Sequence, residues 1–309
     1  MGIVQPRVDC SSAREFLDAL SPVGAYFRDI KLSETWLFRG QGQDEPLIPS
    51  AFRKNDRLAS LMRREIQNYQ QRRLAERDAL TRFFEIADKR GLILPDDSQQ
   101  LRSSLETLRG ERGEDFVGKL GFDEWQTDTM ALSLTALAQH YGVPTRLLDW
   151  TRQPFIAAFF AAENASTYIK EYDPSSRLVV WSFFFPALGK HDVLEKEHAP
   201  IRIVTAPSAT NPNLKAQQGV FTLLNHFYTK EAEEDYLPME QVLEEIASRP
   251  QAEHYHKDIF NSKLRKFTLP ITEADLLLYL LAKLDITPSS VYPGYHSIVR
   301  DIEMENAWR

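Results

Sequence analysis

Residues 139–162 read QHYGVPTRLLDWTRQPFIAAFFAA, and the rest of the chain is organised around this stretch. Gly142–Pro144 predicts the end of a helix, because glycine suits a left-handed cap and proline cannot continue the helix. Arg146–Trp150 has the apolar character of a short buried strand. Pro154 opens a second helix, at a position where its missing N–H costs nothing. The residues after Pro154 are apolar on nearly every face, which predicts burial on several sides.

This strand and its flanks place polar side chains in the most hydrophobic part of the chain. They are His140, Thr145, Arg146, Asp149 and Thr151. Buried polar groups are destabilising unless they are hydrogen-bonded. The five side chains therefore either satisfy one another or hold a ligand, and the local sequence leaves both interpretations open.

A second polar group lies earlier, in the segment Trp36–Gln43, which reads WLFRGQGQ. Four residues of strand character lead into glycines that can let the backbone approach a ligand closely. Arg39, at the end of this strand, is a candidate anion clamp. The alternative is a buried arginine paired with a carboxylate such as Asp149.

Composition limits the classes of function. With 309 residues, 43% of them hydrophobic and 26% charged, the chain has the profile of an ordinary globular protein, and its net charge of −7 gives no general attraction to nucleic acid. The single cysteine, Cys10, excludes a multi-cysteine metal site, and His254 and His256 are more typical of a surface pair, so we expect no metal. No apolar run approaches the length of a membrane span and no secretory signal is present, which predicts a cytoplasmic location without membrane contact.

Two segments between the strand at Trp36 and the central stretch differ in character. Apolar residues recur at helical spacing over Arg57–Arg90, predicting one long helix or two helices that meet near Glu76. The arginine-rich stretch Arg53–Arg82 is explained most simply as a solvated helix face, with a basic surface for a phosphate-rich partner as the alternative. Gly91–Asp123 is predicted to be a polar connection, either a mobile loop or an insertion.

After the central stretch the pattern becomes that of a sheet. Strands are predicted at 178–185, 201–204, 219–224 and 264–269, and helices at 238–248 and 272–285. These strands do not alternate regularly with helices, so the expected fold class is α+β. The chain has none of the common glycine-rich nucleotide-binding loops and no Gly-x-Ser-x-Gly motif.

Three separated blocks together resemble the FRG domain, which is named for its Phe-Arg-Gly motif. The blocks are WLFRGQ at 36–41, QHYGVPTRLLDWT at 139–151 and AQQGVF at 216–221. The resemblance implies a single FRG-type domain over residues 1–309, with a mainly helical insertion at about 51–138 and a C-terminal helical part at about 238–309. FRG domains occur often among toxin and phage-defence genes. An effector of that kind, with an antitoxin or other protein partner, is therefore the biological context that we expect.

The blocks also resemble, more distantly, the ADP-ribosyltransferases. That likeness implies a mixed or antiparallel β core of two packed sheets with flanking helices. It also implies NAD as the substrate and a macromolecular acceptor, with nucleic acid bound through Arg53–Arg82 as one candidate. The catalytic residues carried over are Arg39, His140, Asp149, Thr151 and Gln218. The residues expected to bind the cofactor are Phe38, Arg39, Gly40, Gln41, Tyr141, Thr145, Arg146, Trp150 and Gln217.

One departure affects the expected chemistry. Where the transferases have a glutamate, this chain has Gln217 and Gln218. A glutamine can hydrogen-bond ribose hydroxyls, but it cannot supply a negative charge or accept a proton. Asp149 is the alternative source of charge. An NAD glycohydrolase, a nuclease and a non-catalytic nucleotide-binding or interaction module therefore remain alternatives to a transferase.

Overall fold

The fold is taken from a computed structural model that describes residues 3–27, 36–53, 57–110, 129–166, 173, 175–185, 201–205, 212–224, 236–248 and 261–308. The strands are β1 (Val8–Asp9), β2 (Trp36–Gln41), β3 (Leu148–Thr151), β4 (Arg177–Phe184), β5 (Ile201–Val204), β6 (Gly219–Leu224) and β7 (Lys263–Pro270). The first helices are α1 (Ala13–Leu20), α2 (Arg57–Met62), α3 (Tyr69–Lys89), α4 (Gln99–Gly110), α5 (Thr129–His140) and α6 (Pro154–Ser166). The others are α7 (Pro212–Ala216), α8 (Met239–Ser248), α9 (Ala274–Ala282), α10 (Pro288–Val291) and α11 (Tyr295–Ala307), with 3₁₀ turns at Ser50–Phe52 and Ile271–Glu273.

The described strands form one seven-stranded mixed sheet in the order β1-β7-β4-β2-β3-β6-β5. β1 runs parallel to β7, and every other neighbouring pair is antiparallel. The predicted α+β class is therefore confirmed. The expected pair of packed sheets is not confirmed, because the described strands belong to a single sheet.

Among the described residues, helices pack against both faces of this sheet. Side chains alternate across β4: Leu178 and Val180 join a core with α1, α6 and α9, whereas Val179 and Trp181 join a core with α8. Because each face already has an apolar helical partner, the sheet is buried on both sides. This burial accounts for the continuous hydrophobic run of β4.

Helix α6 lies unusually close to β2, and two glycines make this possible. A Cβ on Gly40 would stand 1.9 Å from the carbonyl oxygen of Ala157, and one on Gly42 would stand 2.9 Å from the amide nitrogen of Ala165. On α6, the residues that face the sheet and its core include Ala157, Ala158, Ala161, Ala162 and Ala165, all fully buried. Gly40 and Gly42 therefore let a helix backbone approach β2, a packing role that the sequence did not predict.

Among neighbouring strands of the described sheet, β2 and β3 share the fewest paired residues. A single residue pair, Phe38 with Thr151, joins these strands, whereas β2 pairs with β4 through six residues. On one side of this pair β2 and β3 therefore separate, with Arg39 and Gly40 on β2 and Asp149 on β3. We call this place the seam.

The residues described between β2 and the central stretch are mainly helical. Two helices do cover Arg57–Arg90, but they are separated by residues 63–68 and not by Glu76, which lies inside α3. Arg63 has a φ of 50° after α2, and the Asn68 side chain caps α3, so local backbone chemistry sets the break. The prediction of a junction near Glu76 was wrong because the polar middle of the pattern marks a buried charge. Within the predicted connection Gly91–Asp123, residues 99–110 form α4, and residues 111–123 lie outside the described part.

Among the residues that the structure describes, none of the helices combines the length and the apolar character that crossing a membrane requires.

Candidate functional site

A cavity of about 290 Å³ opens at the seam. Its lining comes from β2, β3, β6, helices α5, α6 and α7, and the residue after α10. The lining residues are Phe38, Arg39, Gly40, Ala136, Gln139, His140, Asp149, Trp150, Thr151, Phe160, Asn164, Leu214, Gln217, Gly219, Phe221 and Tyr292. The volume is close to the lower end of the range typical of small-molecule sites.

All three sequence blocks contribute to this one cavity. The Phe-Arg-Gly strand provides residues 38–40, and the third block provides Gln217 and Gly219. Residues 149–151 come from the second block, residues 139–151, which we call the central corner. The register of the sheet explains the convergence, because β3 lies between β2 and β6 and pairs with both. Residues that are far apart in sequence therefore meet where β3 ends.

Arg39 spans the seam and contacts Asp149. Its Nη1 donates to the backbone carbonyl of Asp149 at 2.9 Å and lies 3.4 Å from the carboxylate Oδ2. The Arg39 side chain is 12% exposed and the Asp149 side chain 58% exposed. Within the described residues, Arg39 Nε has no hydrogen-bond partner. The contact with Asp149 agrees with one of the two expectations for Arg39, and its role as an anion clamp stays a prediction.

Burial lowers the pKa of Arg39 from its ordinary value, and the nearby Asp149 carboxylate opposes that shift. An arginine starts from so high a pKa that the guanidinium remains a cation at neutral pH. The cavity therefore presents a partly desolvated positive charge, which attracts anions more strongly than a fully solvated one.

A chain of amide and hydroxyl groups orients Asp149. The Gln139 side chain donates from Nε2 to Asp149 Oδ1, and its Oε1 accepts from the Thr145 hydroxyl. Thr145 is fully buried and is itself held by Ser50, whose hydroxyl accepts from the Thr145 amide at 3.0 Å. Gln139 thus holds the Asp149 carboxylate through Oδ1, while Asp149 lines the cavity.

His140 ends helix α5 at the rim of the cavity. The Asn213 side-chain amide donates to His140 Nε2 at 2.8 Å, an arrangement that requires the neutral tautomer with its proton on Nδ1. Burial lowers the pKa of His140 from its ordinary value, and the charge of Asp149 partly offsets this. The ring is therefore neutral at pH 7. Asn213 is a site neighbour that the sequence did not single out.

Thr151 lines the cavity but uses its hydroxyl for the fold. The hydroxyl donates to the Gln217 carbonyl at 2.6 Å and accepts from the Gln153 amide at 3.0 Å, at the start of α6. One hydroxyl thus joins the end of β3, the first turn of α6 and the approach to β6. Thr151 holds the three blocks together and leaves little capacity for a ligand.

Five of the residues expected at the site do not line the cavity: Gln41, Tyr141, Thr145, Arg146 and Gln218. Gln41 is buried and accepts from the Trp181 indole at 2.8 Å. Tyr141 is 71% exposed, beyond the end of α5. Gln218 is exposed on the turn before β6, with a φ of 47°, and its neighbour Gln217 lines the cavity in its place.

Arg146 is enclosed in a separate ion pair. Its guanidinium and its backbone amide both bind the carboxylate of Glu76 on α3, with the amide at 2.7 Å from Oε1 and the side-chain Nε at 2.7 Å from Oε2. Glu76 is fully buried and the Arg146 side chain is 8% exposed. Arg146 therefore fixes the corner to the helical insertion, and sequence alone could not reveal a partner 70 residues away.

Aromatic side chains form part of the cavity wall. Trp150 is 3% exposed and its indole N–H donates to Thr222 at 2.9 Å, so most of the ring belongs to the core. Phe38 remains in the wall, joined by Phe160 and Tyr292, which the sequence did not identify. Phe160 lies in a helix that looked uniformly apolar, and Tyr292 carries no local motif, so only the tertiary fold brings them to the site.

The arginine-rich stretch is only partly a surface. Arg73 and Arg77 are buried, which a simple solvated helix face does not explain. Arg64 and Arg77 both contact Asp78, at 3.0 Å and 3.2 Å. The exposed arginines of the stretch are Arg57, Arg63, Arg64 and Arg82. The positive surface available to a partner is therefore smaller than the count of arginines indicates.

The part of the chain that the structure describes holds no cluster of three or more histidine, cysteine, aspartate or glutamate side chains placed to bind a metal ion. The pair His254 and His256 lies outside the described residues.

Comparison with known proteins gives one match. No curated protein and no solved structure matches the chain. The model of the FRG domain matches residues 34–169, a range that starts just before β2 and ends just after α6. This range contains the Phe-Arg-Gly strand, the helical insertion and the whole of the central corner, and it supports the assignment of residues 34–169 to the FRG domain.

Proposed function

We propose that the cavity binds NAD and that the protein transfers ADP-ribose from NAD to a macromolecular acceptor. The observation that carries this proposal is the pairing of Arg39 with Asp149 across an open seam. A cation and a carboxylate thus stand side by side against a partly aromatic wall. Phosphate, ribose and a planar base are the three parts of a nucleotide that such groups recognise.

The cationic side of the site is suited to a pyrophosphate. Among the described residues, Arg39 Nη1 contacts Asp149 and Nε is buried without a partner, so Nη2 is the donor that we expect an anion to use. A planar guanidinium binds phosphate oxygens in pairs, and partial burial strengthens the interaction. The dipolar Gln217 and Asn164 side chains lie in the same lining and can bind ribose hydroxyls.

The carboxylate is suited to the bond-breaking step. Cleavage separates C1′ of the nicotinamide ribose from the ring nitrogen, and the electron pair stays with nicotinamide. The sugar then resembles an oxocarbenium ion, and a fixed carboxylate stabilises that positive charge. Asp149, held by Gln139, supplies the charge that Gln217 and Gln218 lack. The acceptor bonds to C1′ and releases its proton.

Hydrolysis of NAD, with water as the acceptor, is the second candidate. Asp149 is the only carboxylate among the described residues that line the cavity. A transferase also has to orient and deprotonate its acceptor, whereas water needs less positioning. The same groups therefore support an NAD glycohydrolase, and the two activities differ in where the ADP-ribose is found.

The biological context forms part of the proposal. The resemblance to FRG domains of toxin and phage-defence genes favours an effector that acts inside the cell and has a protein partner such as an antitoxin. If the acceptor is a nucleic acid, the exposed arginines of Arg53–Arg82 are its expected contact, and binding should weaken steeply as salt rises.

The test is incubation of the purified protein with NAD labelled in its adenylate part, together with a cell extract. We expect label on a macromolecule with the wild type and with Arg14→Ala, a control at an exposed arginine on α1. Arg39→Ala should abolish the labelling. Release of nicotinamide without a labelled macromolecule would identify the glycohydrolase. Absence of both products would overturn the proposal and its alternative.

A further inference from the structure

One wall of the cavity comes from a part of the chain that lies well beyond the FRG match. Tyr292 follows α10 and lines the cavity together with Phe38 and Phe160. Its ring centroid lies 5.9 Å from that of Phe160, at an interplanar angle of 64°. Aromatic pairs favour such edge-to-face packing. The C-terminal segment thus completes an aromatic wall that the FRG segment begins.

The Tyr292 ring is held in place by an ionic pair behind it. Its hydroxyl donates to Glu163 Oε2 at 2.7 Å, and Arg300 on α11 donates to the other oxygen of Glu163. The Arg300 guanidinium lies 5.7 Å from the Tyr292 ring centroid. Burial, together with the negative charge of Glu163, raises the pKa of Tyr292, so the hydroxyl remains a donor throughout the physiological pH range.

A second contact ties this segment to another wall of the cavity. Gln217 Nε2 donates to the carbonyl of Val291 at 3.3 Å. Gln217 also provides the carbonyl that accepts from Thr151. Gln217 therefore connects Thr151, at the end of β3, with Val291, the residue before Tyr292.

We infer that Tyr292 is a specificity-determining residue whose ring contacts the planar heterocycle of a nucleotide bound through its phosphate at Arg39. Glu163 and Arg300 act through Tyr292 as positioning residues. This inference rests on the proposed function, since it names the part of the ligand that the C-terminal segment recognises. Stacking against aromatic side chains is selective for ligands that carry a base.

The experiment compares ligands that share a phosphate and differ in the ring. Calorimetry on the full chain would measure binding of NAD, AMP, nicotinamide mononucleotide and ribose 5-phosphate. We expect the wild type to bind at least one of the two mononucleotides more tightly than ribose 5-phosphate. Tyr292→Ala should reduce that preference by roughly 10- to 100-fold, the scale of base stacking. Binding of ribose 5-phosphate should stay unchanged, which also shows that the variant is folded.

Three further variants separate the ring from its support. Tyr292→Phe keeps the ring and should retain most of the preference, whereas Arg300→Met should lower it in part. Tyr295→Ala changes a tyrosine that is 91% exposed on the same segment and should have no effect. Equal binding of mononucleotides and ribose 5-phosphate by the wild type, or an unchanged preference in Tyr292→Ala, would overturn the inference while NAD binding stands.

The reverse result is also distinguishable. If mononucleotides bind with a preference that depends on Tyr292 but NAD does not bind, the proposed function fails and the role of Tyr292 is upheld. If none of the four probes binds, both are overturned.

Discussion

Two arginine–carboxylate pairs, each with one member in the central stretch, share the same chemistry but differ in burial. Arg146 and Glu76 are sealed in the interior, with the backbone amide and the guanidinium both directed at one carboxylate. Arg39 and Asp149 meet at the edge of a cavity, through a single longer contact between their charged groups. The first pair joins the helical insertion to the corner. The second leaves both charges available to a ligand.

This difference in burial predicts different roles for the two pairs. A buried pair is strongly coupled to stability, because removing one partner leaves the other charge desolvated. In the Arg39–Asp149 pair one partner, Asp149, is exposed, so removing its charge should cost less stability than removing a partner of the buried pair. Substitution in the first pair should therefore mainly lower stability, whereas substitution in the second should mainly change ligand binding and turnover. The following variants test these roles and the packing around the cavity, from the largest expected effect on stability to the smallest.

Glu76→Ala should have the largest effect on stability. The change takes the carboxylate from Arg146 and leaves a buried cation without that partner, which costs about 3–5 kcal/mol of the free energy of unfolding. Chemical denaturation would measure this loss. The double variant Glu76→Leu with Arg146→Met should recover most of it, since an apolar pair avoids the buried charge. A loss below about 1 kcal/mol for Glu76→Ala would contradict the structural role of the pair.

Gly40→Ala should be the most damaging change on the open side. The new methyl would overlap the Ala157 carbonyl, so α6 would have to move away from β2. We expect a loss of roughly 1–3 kcal/mol or more in the free energy of unfolding. Gly91→Ala is the control for the glycine itself, because a Cβ at Gly91 meets nothing within 4 Å, although its φ of 68° adds backbone strain. Equal losses in the two variants would contradict the packing explanation.

Gln218→Gly should raise stability slightly. The φ of 47° at Gln218 is unfavourable for a residue with a side chain, and glycine removes that strain. Glycine also gives the unfolded chain more conformational freedom, so the expected net gain in the free energy of unfolding is about 1 kcal/mol. Thermal unfolding and NAD turnover would be measured together. Retained turnover would exclude Gln218 from catalysis, and lost turnover with unchanged NAD affinity would restore it as a catalytic residue.

Asp149→Asn should have the smallest effect on stability and the clearest effect on the site. Asp149 is 58% exposed and the variant keeps the bond from Arg39 to the backbone carbonyl, so the free energy of unfolding should change by less than about 1 kcal/mol. Without the competing carboxylate, Arg39 should bind pyrophosphate roughly two- to tenfold more tightly. NAD turnover should fall by about 10²-fold or more, since the stabilising charge is gone. Weaker pyrophosphate binding together with normal turnover would contradict the assigned roles.

The sequence predicts the parts of this fold that local patterns determine. The strands at 201–204 and 219–224 have the expected bounds, and β4 and β7 differ from their predictions by one residue at each end. The cap at Gly142 is also confirmed, with a φ of 90°. These features depend on side-chain alternation and on glycine and proline chemistry, which neighbouring residues reveal.

What the sequence could not predict depends on distant partners. Glu76 appeared as a polar interruption of a helix because its partner Arg146 is far away in the chain. Gly40 lines the cavity, but no local pattern indicates that the backbone of Ala157 lies against it. Tyr292 stands in no motif and reaches the cavity only through the fold of the C-terminal segment. In each case the function of the residue is set by a tertiary contact.

The single pairing of Phe38 with Thr151 has a mechanical consequence. Beyond that pair, the Arg39 side chain and not a backbone hydrogen bond connects β2 with β3. A ligand can replace or reinforce this contact. A nucleotide that contacts both Arg39 and Asp149 would connect β2 with β3 and limit their separation, an effect that we call stapling. Slower deuterium uptake at the amides of β2 and β3 on ligand addition would report that stapling directly.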